Sequence, residues 1–285
     1  MERVSTFERT LRAALILLVL AFFLFPIFWI VLMSFQNNDQ ILRIPPSLLF
    51  EPTISNYTSL LTGQLKTTAG NFDIAFIRNL GNSMLLSTGS VLLSLLLGVP
   101  AAYAFARFKF RLGENIAFTL LSFRFAPPLL VLLPLSLYFN QLGLTNTYFG
   151  LIWVYQLICL PLILWIVRGY FEDVSPDIEH AYRVAGHSWW TTFRKIAIPL
   201  ARPGIAAAGL LAFIFAWNNF VFALILASAD KQPVTVGALA FVTASGIQYG
   251  QIAAAIVLSV MPTLLLALYA QRYLVEGLSL GAVKG

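Results

Sequence analysis

Charged residues are scarce in this sequence. Asp, Glu, Lys and Arg together make up only 11% of its 285 residues, whereas soluble domains average about 25%. The mean hydropathy is +0.82, and 59% of the residues are hydrophobic. This composition excludes an ordinary soluble domain and indicates an integral membrane protein.

Cysteine, histidine and phosphate-binding motifs are also rare or missing. The single cysteine, Cys159, excludes an internal disulfide and a thiolate metal cluster. His180 and His187 do not have the spacing of a zinc site. No Gly-Lys dipeptide occurs, so the sequence has no phosphate-binding P-loop. We therefore expect no catalytic residue, metal or bound cofactor in this chain, and we expect any ATP chemistry on another chain.

Long apolar runs make up most of what is present. Six windows are apolar for about 20 residues or more, the length that a helix needs to cross about 30 Å of hydrocarbon. They cover about 11–34, 82–106, 115–139, 148–171, 203–227 and 250–272. The sequence therefore predicts an all-α integral membrane protein with six transmembrane helices and a transmembrane domain over 11–272.

Basic residues are divided unequally between the predicted loops. If the N-terminus is inside, 13 Lys and Arg residues lie on the cytoplasmic side. The outer side has only Arg43, Lys66, Arg78 and Lys231. Because short loops rich in Lys and Arg stay in the cytoplasm, we expect both tails, 1–10 and 273–285, to be cytoplasmic. The net charge of +6 follows from this bias, and no nucleic-acid partner is needed to explain it.

Two segments outside the apolar windows are longer than simple connections. The predicted external segment 35–78 either covers its own subunit or contacts an external partner. The predicted cytoplasmic segment 172–202 has helix signals of its own. Ser175 can cap a helix that starts at Pro176, and Gly186 suits the left-handed turn that ends it.

A second helix pattern follows Gly186 and ends before Pro199. Ser188 can cap it, and the segment as a whole predicts helix, bend and helix at the membrane surface. One interpretation is an interfacial element whose aromatic residues lie among lipid headgroups. The other is a coupling element whose bend inserts into a soluble partner, with Tyr182, Trp189 and Trp190 as anchors.

The spacing in this segment resembles the EAA loop of bacterial ATP-binding-cassette import permeases. That loop reads E-A-A, three residues, G, nine residues and I-x-L-P. Here HAY at 180–182 is followed at the same spacings by Gly186 and by IAIP at 196–199, and a glutamate lies one position early, at Glu179. The resemblance assigns the contact with an ATPase to Glu179, His180, Ala181, Tyr182, Gly186, Trp189, Trp190, Ile196 and Pro199.

Similarity extends over nearly the whole chain. The runs NSMLLSTGSVLLSLLLGVPAAYAFARF, LGLTNTYFGLI and AWNNFVFALIL resemble the carbohydrate-uptake permeases related to the maltose-type transporter. The resemblance implies the type I importer permease fold in a bacterial inner membrane, in contact with lipid. It also implies a heterodimer with a second permease, two ATP-binding-cassette subunits that hold ATP and Mg, and an extracytoplasmic solute-binding protein. The solute would be a sugar, an oligosaccharide or a polyol.

Polar residues inside the apolar windows are candidates for the solute path. Arg124 should face an interior or aqueous path, because an arginine in the membrane costs about 2.5–3.5 kcal/mol. Pro127 and Pro128 follow it and predict a broken helix. Asn218 and Asn219 suit either sugar hydroxyls or hydrogen bonds between helices. Tyr155 and Gln156 are further candidates.

An ion-driven secondary transporter is the alternative to an ATP-driven importer. Such a carrier needs ionisable residues within its spans to bind or relay the driving ion. Only Arg124 qualifies, and no carboxylate lies deep in a window. The sequence therefore favours the importer.

Overall fold

The structure, a computed structural model, describes residues 6–45, 48–67, 70–109, 111–243 and 246–281. Arg3 and Lys284 of the predicted cytoplasmic side lie outside these ranges. The helices are α1 Thr6–Ser34, α2 Asn38–Ile41, α3 Ser55–Thr62, α4 Phe76–Arg107, α5 Gly113–Ser122, α6 Pro128–Gln141, α7 Tyr148–Val154, α8 Gln156–Asp173, α9 Pro176–Val184, α10 Trp189–Thr192, α11 Ile198–Leu200, α12 Arg202–Trp217, α13 Val221–Leu226, α14 Val234–Gly237 and α15 Tyr249–Gly281.

Two short antiparallel hairpins interrupt the helical fold. The first pairs β1, Gln64–Thr67, with β2, Gly70–Asp73. The second pairs β3, Val242–Thr243, with β4, Gly246–Ile247. The chain divides into one unit of residues up to 77 together with 238–260, and a second unit of residues 78–237 together with those from 261.

The first unit contains α1 and the segment predicted to be external. The apolar stretch of α1 has no part buried within the described structure, as expected for a helix that lipid or another chain surrounds. Asn56 on α3 is buried, and its amide donates to the carbonyl oxygens of Ser34 and Gln36 at 2.9 Å each. Asn56 therefore holds α3 to the end of α1.

Helices of membrane-spanning character occur in both units. Among the described residues, three helices are long and apolar enough to cross a membrane, or up to six if each bent pair is one span. The predicted break in the third window is present, because α5 and α6 meet at 98°. Pro128 occupies the first turn of α6, and Pro127 before it has extended backbone.

Two further breaks lie at the start of the predicted fifth window and within it, and only the second was not predicted. The helix pair 189–200 and 202–217 is bent by 73°, and Pro203 at the start of α12 explains the bend because it has no N–H to continue the preceding helix. The fifth apolar window is also interrupted between Trp217 and Val221, so it forms α12 and α13 rather than one helix.

α12 and α8 approach each other closely at Gly204. A Cβ atom added there would lie 2.2 Å from Cγ of Tyr170. We expect Gly204→Ala to destabilise the protein by about 1–3 kcal/mol because the Tyr170 ring must shift. Gly169→Ala is the matched control, because nothing lies within 4 Å of that position and alanine favours a helix by up to about 1 kcal/mol. Equal thermal unfolding midpoints in detergent for the two variants would contradict this packing.

Candidate functional site

The segment between α8 and α12 contains the predicted helix, bend and helix. The Ser175 hydroxyl accepts a hydrogen bond from the backbone N–H of Asp177 at 3.3 Å and caps α9. Gly186 has a φ of 91°, a left-handed conformation that favours glycine. Ser188 caps α10 in the same way, through the N–H of Thr191 at 3.3 Å. A π-helical turn, Phe193–Ala197, continues the chain into α11.

The two faces of α9 differ in their surroundings. Glu179 is 1% exposed, and Tyr182 is half-buried on the same side of the helix. The apolar residues Ile178 and Ala181 are exposed, and Val184 is 89% exposed. α9 therefore turns Glu179 inward and presents the apolar side chains of Ile178, Ala181 and Val184 outward, where a partner can contact them.

Glu179 is held by a buried network from the end of α4. Its Oε1 accepts hydrogen bonds from Nη2 and Nε of Arg107 at 2.9 and 3.0 Å. Its Oε2 accepts one from the Tyr103 hydroxyl at 2.7 Å. Arg107 Nη2 also donates to the carbonyl oxygen of Val174 at 2.9 Å. Both Arg107 groups donate to the same carboxylate oxygen, and the Tyr103 hydroxyl donates to the other. Hydrogen bonds to an ionised carboxylate are stronger than neutral ones, so α9 is attached firmly to α4.

Aromatic rings extend this attachment to the bend. The Trp189 ring lies 4.9 Å from that of Phe108, and the guanidinium of Arg183 lies 3.7 Å from the Trp189 ring centroid. Tyr182 stacks on His187 across the bend at 4.0 Å. These contacts leave the tip of the bend open, because apart from its chain neighbours no atom of the described residues lies within 4 Å of the Cβ position of Gly186.

The remaining predicted coupling residues are at or near the surface. His180 is exposed, and Trp190 is 61% exposed although its ring lies 5.5 Å from that of Phe193. Ile196 and Pro199 are half-buried. Arg107 and Tyr103, which sequence reasoning missed, complete the site. The sequence signal for this site was Glu179, which lies one position before the glutamate of the E-A-A pattern, but that signal did not identify Arg107 and Tyr103 as its partners.

Arg124 lies in the turn that separates α5 from α6. Its guanidinium is 4.1 Å from the centroid of the Phe215 ring on α12, and the side chain is half-buried. A cation over an aromatic face contributes about 0.5–2 kcal/mol. This contact ties the broken third window to α12.

Tyr155 and Gln156 lie at the junction of α7 and α8, against α4. Gln156 Nε2 donates to the carbonyl oxygen of Ser90 at 3.2 Å, and Gln156 Oε1 accepts a short hydrogen bond from Ser94. Tyr155 is fully buried. The structure thus gives Gln156 a place in a helix contact, and solute contact by either residue stays a prediction.

Asn218 and Asn219 end α12. The Asn218 amide donates to the carbonyl oxygen of Ile214 at 2.8 Å, within its own helix. The Asn219 carbonyl oxygen accepts from the Thr235 hydroxyl at 2.8 Å. Its buried side-chain Oδ1 has no hydrogen-bond partner among the described residues. Solute contact by these residues also stays a prediction.

Comparisons with known proteins agree with this architecture. The sequence profile of the family described as binding-protein-dependent transport system inner membrane component matches residues 94–279. The probable ABC transporter permease protein y4oR of Sinorhizobium fredii is 34% identical, with 98% of this chain and 99% of the relative covered. The trehalose/maltose transport system permease protein MalG of Thermococcus litoralis is 32% identical, with 92% of each chain covered.

A solved structure is similar over nearly the full length. It is a bacterial ABC transporter involved in the import of the acidic polysaccharide alginate, and one of its chains aligns with a TM-score of 0.76 at 24% identity. The alignment covers 96% of this chain and 99% of that chain. The predicted importer-permease fold is therefore confirmed.

Proposed function

This chain belongs to the family of binding-protein-dependent transport system inner membrane components, and on that premise we propose that it is the permease subunit of an ATP-driven importer of a sugar, an oligosaccharide or a polyol. Relatives named for trehalose/maltose and for trehalose transport support this solute class. The observation that carries the proposal is α9, which is attached to α4 through the buried Glu179 and exposes the apolar residues Ile178, Ala181 and Val184. No observation favours the ion-driven alternative.

The proposed partners follow from this surface and from the family. Two ATP-binding-cassette subunits hold ATP and Mg, and one of them docks on α9 and the bend at Gly186. A second permease subunit forms a heterodimer with this chain, and an extracytoplasmic solute-binding protein delivers the solute. In this arrangement both termini and the 172–202 segment are cytoplasmic, and hydrolysis takes place on the partner subunits rather than on this chain.

The proposed mechanism is a rigid-body movement that starts at α9. Closure of the ATPase subunits on ATP moves the bend, and the buried ion pair of Glu179 and Arg107 passes that movement to α4. The docked partner drives the change only if it binds the inward-open and outward-open states with different affinity. The unpartnered Oδ1 of Asn219 supports a place for that residue on the solute path, where it would accept a hydrogen bond from a hydroxyl group.

Co-purification tests the proposed docking site. We expect an ATP-binding-cassette chain to co-purify with the tagged protein from native membranes. Val184→Asp should reduce its retention at least about tenfold, because an unpaired carboxylate in an apolar interface costs several kcal/mol and each 1.4 kcal/mol is a factor of ten. Val242→Asp is the matched control, since Val242 is exposed on β3, away from α9 in the sequence. If the unmodified protein retains no ATPase chain, the proposed function is wrong.

A further inference from the structure

Asn82 lies near the N-terminal end of α4 and hydrogen-bonds residues 228–237, which follow α13 and include α14. We call this segment the 228–237 loop. Its Nδ2 donates to the carbonyl oxygens of Asp230 and Gln232 at 3.1 and 3.0 Å. Its Oδ1 accepts a hydrogen bond from the Tyr148 hydroxyl at 2.8 Å. Asn82 is only 5% exposed, so loss of its side chain would leave three polar groups without partners. One side chain thus joins α4, α7 and the 228–237 loop.

Other contacts hold the same loop to α4. The backbone N–H of Val234 donates to the hydroxyl of Ser83 at 2.8 Å, and Arg78 Nη2 donates to the carbonyl oxygen of Ala229 at 3.3 Å. Gly237 lies so close to Asn79 that an added Cβ would be 2.0 Å from Nδ2 of Asn79. The loop is therefore fixed to α4 along its length.

Asn146, in the turn before α7, also holds the tip of the loop. Asn146 Nδ2 donates to Asp230 Oδ1 at 3.2 Å, and Asn146 Oδ1 accepts from the backbone N–H of Ser228 at 2.9 Å. The ammonium group of Lys231, and after it the Asn146 amide, lowers the pKa of the Asp230 carboxyl. Asp230 is therefore ionised at neutral pH, and it stays exposed at the tip.

The two ends of α4 therefore contact different functional regions. Asn82 and Arg107 are 25 residues apart, which corresponds to about 38 Å of helix. Between them, Gln156 bonds Ser90 and Ser94 and joins the middle of α4 to the start of α8. α4 is thus bonded to the α7–α9 segment near both of its ends and in its middle.

We propose that α4, α9 and the 228–237 loop move as one body, and that Asn82 is the positioning residue that transmits the state of the coupling helix to that loop. The inference rests on the proposed function, in which an ATPase docks on α9 and the loop lies on the opposite side of the membrane. Coupling between two sites is reciprocal. If nucleotide binding changes the affinity of the loop for another protein by some factor, binding of that protein to the loop changes the affinity for nucleotide by the same factor.

Hydrogen exchange in the assembled complex tests this inference. The complex is purified from native membranes through a tag on this chain and is trapped with Mg·ATP and orthovanadate. We expect trapping to change amide exchange in both 176–184 and 228–237. In Asn82→Ala the change in 228–237 should shrink, because the carbonyl oxygens of Asp230 and Gln232 lose their donor on α4, while the change in 176–184 persists. Asn115→Ala, at an exposed asparagine on α5, should behave like the unmodified protein.

The outcomes separate this inference from the proposed function. An undiminished loop response in Asn82→Ala would overturn the inference, as would an unmodified complex in which 176–184 responds and 228–237 does not. If neither segment responds, docking on α9 is wrong and both proposals fall. Tyr148→Phe removes only the bond from the Tyr148 hydroxyl and tests the same coupling if Asn82→Ala does not assemble. It should reduce the loop response by a smaller factor, and an unchanged response would count against the inference.

Discussion

Replacing Arg107 with Ala is expected to lower the free energy of unfolding by about 3–5 kcal/mol, because the change leaves a buried carboxylate without its counter-charge. Glu179 is 1% exposed and accepts both of its ionic hydrogen bonds from Arg107. The hydroxyl of Tyr103 remains, but one neutral donor does not compensate a buried charge. Since the same pair attaches α9 to α4, solute uptake in vesicles should be lost as well. Unfolding in mixed micelles measures the loss in free energy of unfolding.

Two further variants separate the charge from the loss of side-chain packing. Lys109→Ala removes an exposed basic residue close to Arg107 in the sequence, and it should change stability by no more than about 0.5 kcal/mol. Arg107→Met combined with Glu179→Leu removes both charges and should recover most of the lost stability, because replacing a whole buried ion pair by apolar side chains is often neutral. If the double variant is as unstable as Arg107→Ala, the unpaired charge is not the cause.

Local signals in the sequence were sufficient to predict the helix, bend and helix of the 172–202 segment. A cap at Ser175, proline at 176 and glycine at Gly186 each determine backbone conformation within a few residues, and the structure has all three as predicted. The break beside Pro127 followed from the same kind of local argument. The bend beside Pro203 falls at the predicted boundary between the 172–202 segment and the fifth window, whereas the interruption of that window after Trp217 was not predicted.

The network around Glu179 was beyond such reasoning. Arg107 and Glu179 are 72 residues apart, and no spacing within either helix identifies the other as a partner. In a membrane protein, moreover, side chains that face lipid and side chains that face other helices are both apolar, so periodicity does not orient a span. The buried serines Ser90 and Ser94 on α4 were the available signal for the face that packs on α8.

Gly186→Val is expected to leave the protein inserted and the ATPase subunits bound, and to uncouple ATP hydrolysis from uptake. At a φ of 91° a β-branched residue is strained by about 1–3 kcal/mol, which corresponds to a loss of about 5- to 150-fold in the population of the observed bend. No neighbouring atom lies within 4 Å of the Cβ position, so the cost falls on the backbone and on the docked partner rather than on the packing of this chain. Uptake and ATP hydrolysis are measured in the same vesicles.

Gly143→Val provides the matched control for that experiment. Gly143 also has a positive φ, 66°, and no atom within 4 Å of its Cβ position, but it lies in the turn after α6 rather than in the coupling segment. Similar backbone strain there should lower the unfolding midpoint comparably and leave the ratio of solute imported to ATP hydrolysed unchanged. Because the two variants share the strain and differ in position, a normal ratio in Gly186→Val would show that the bend does not transmit the work of the ATPase, and the proposed mechanism would be wrong.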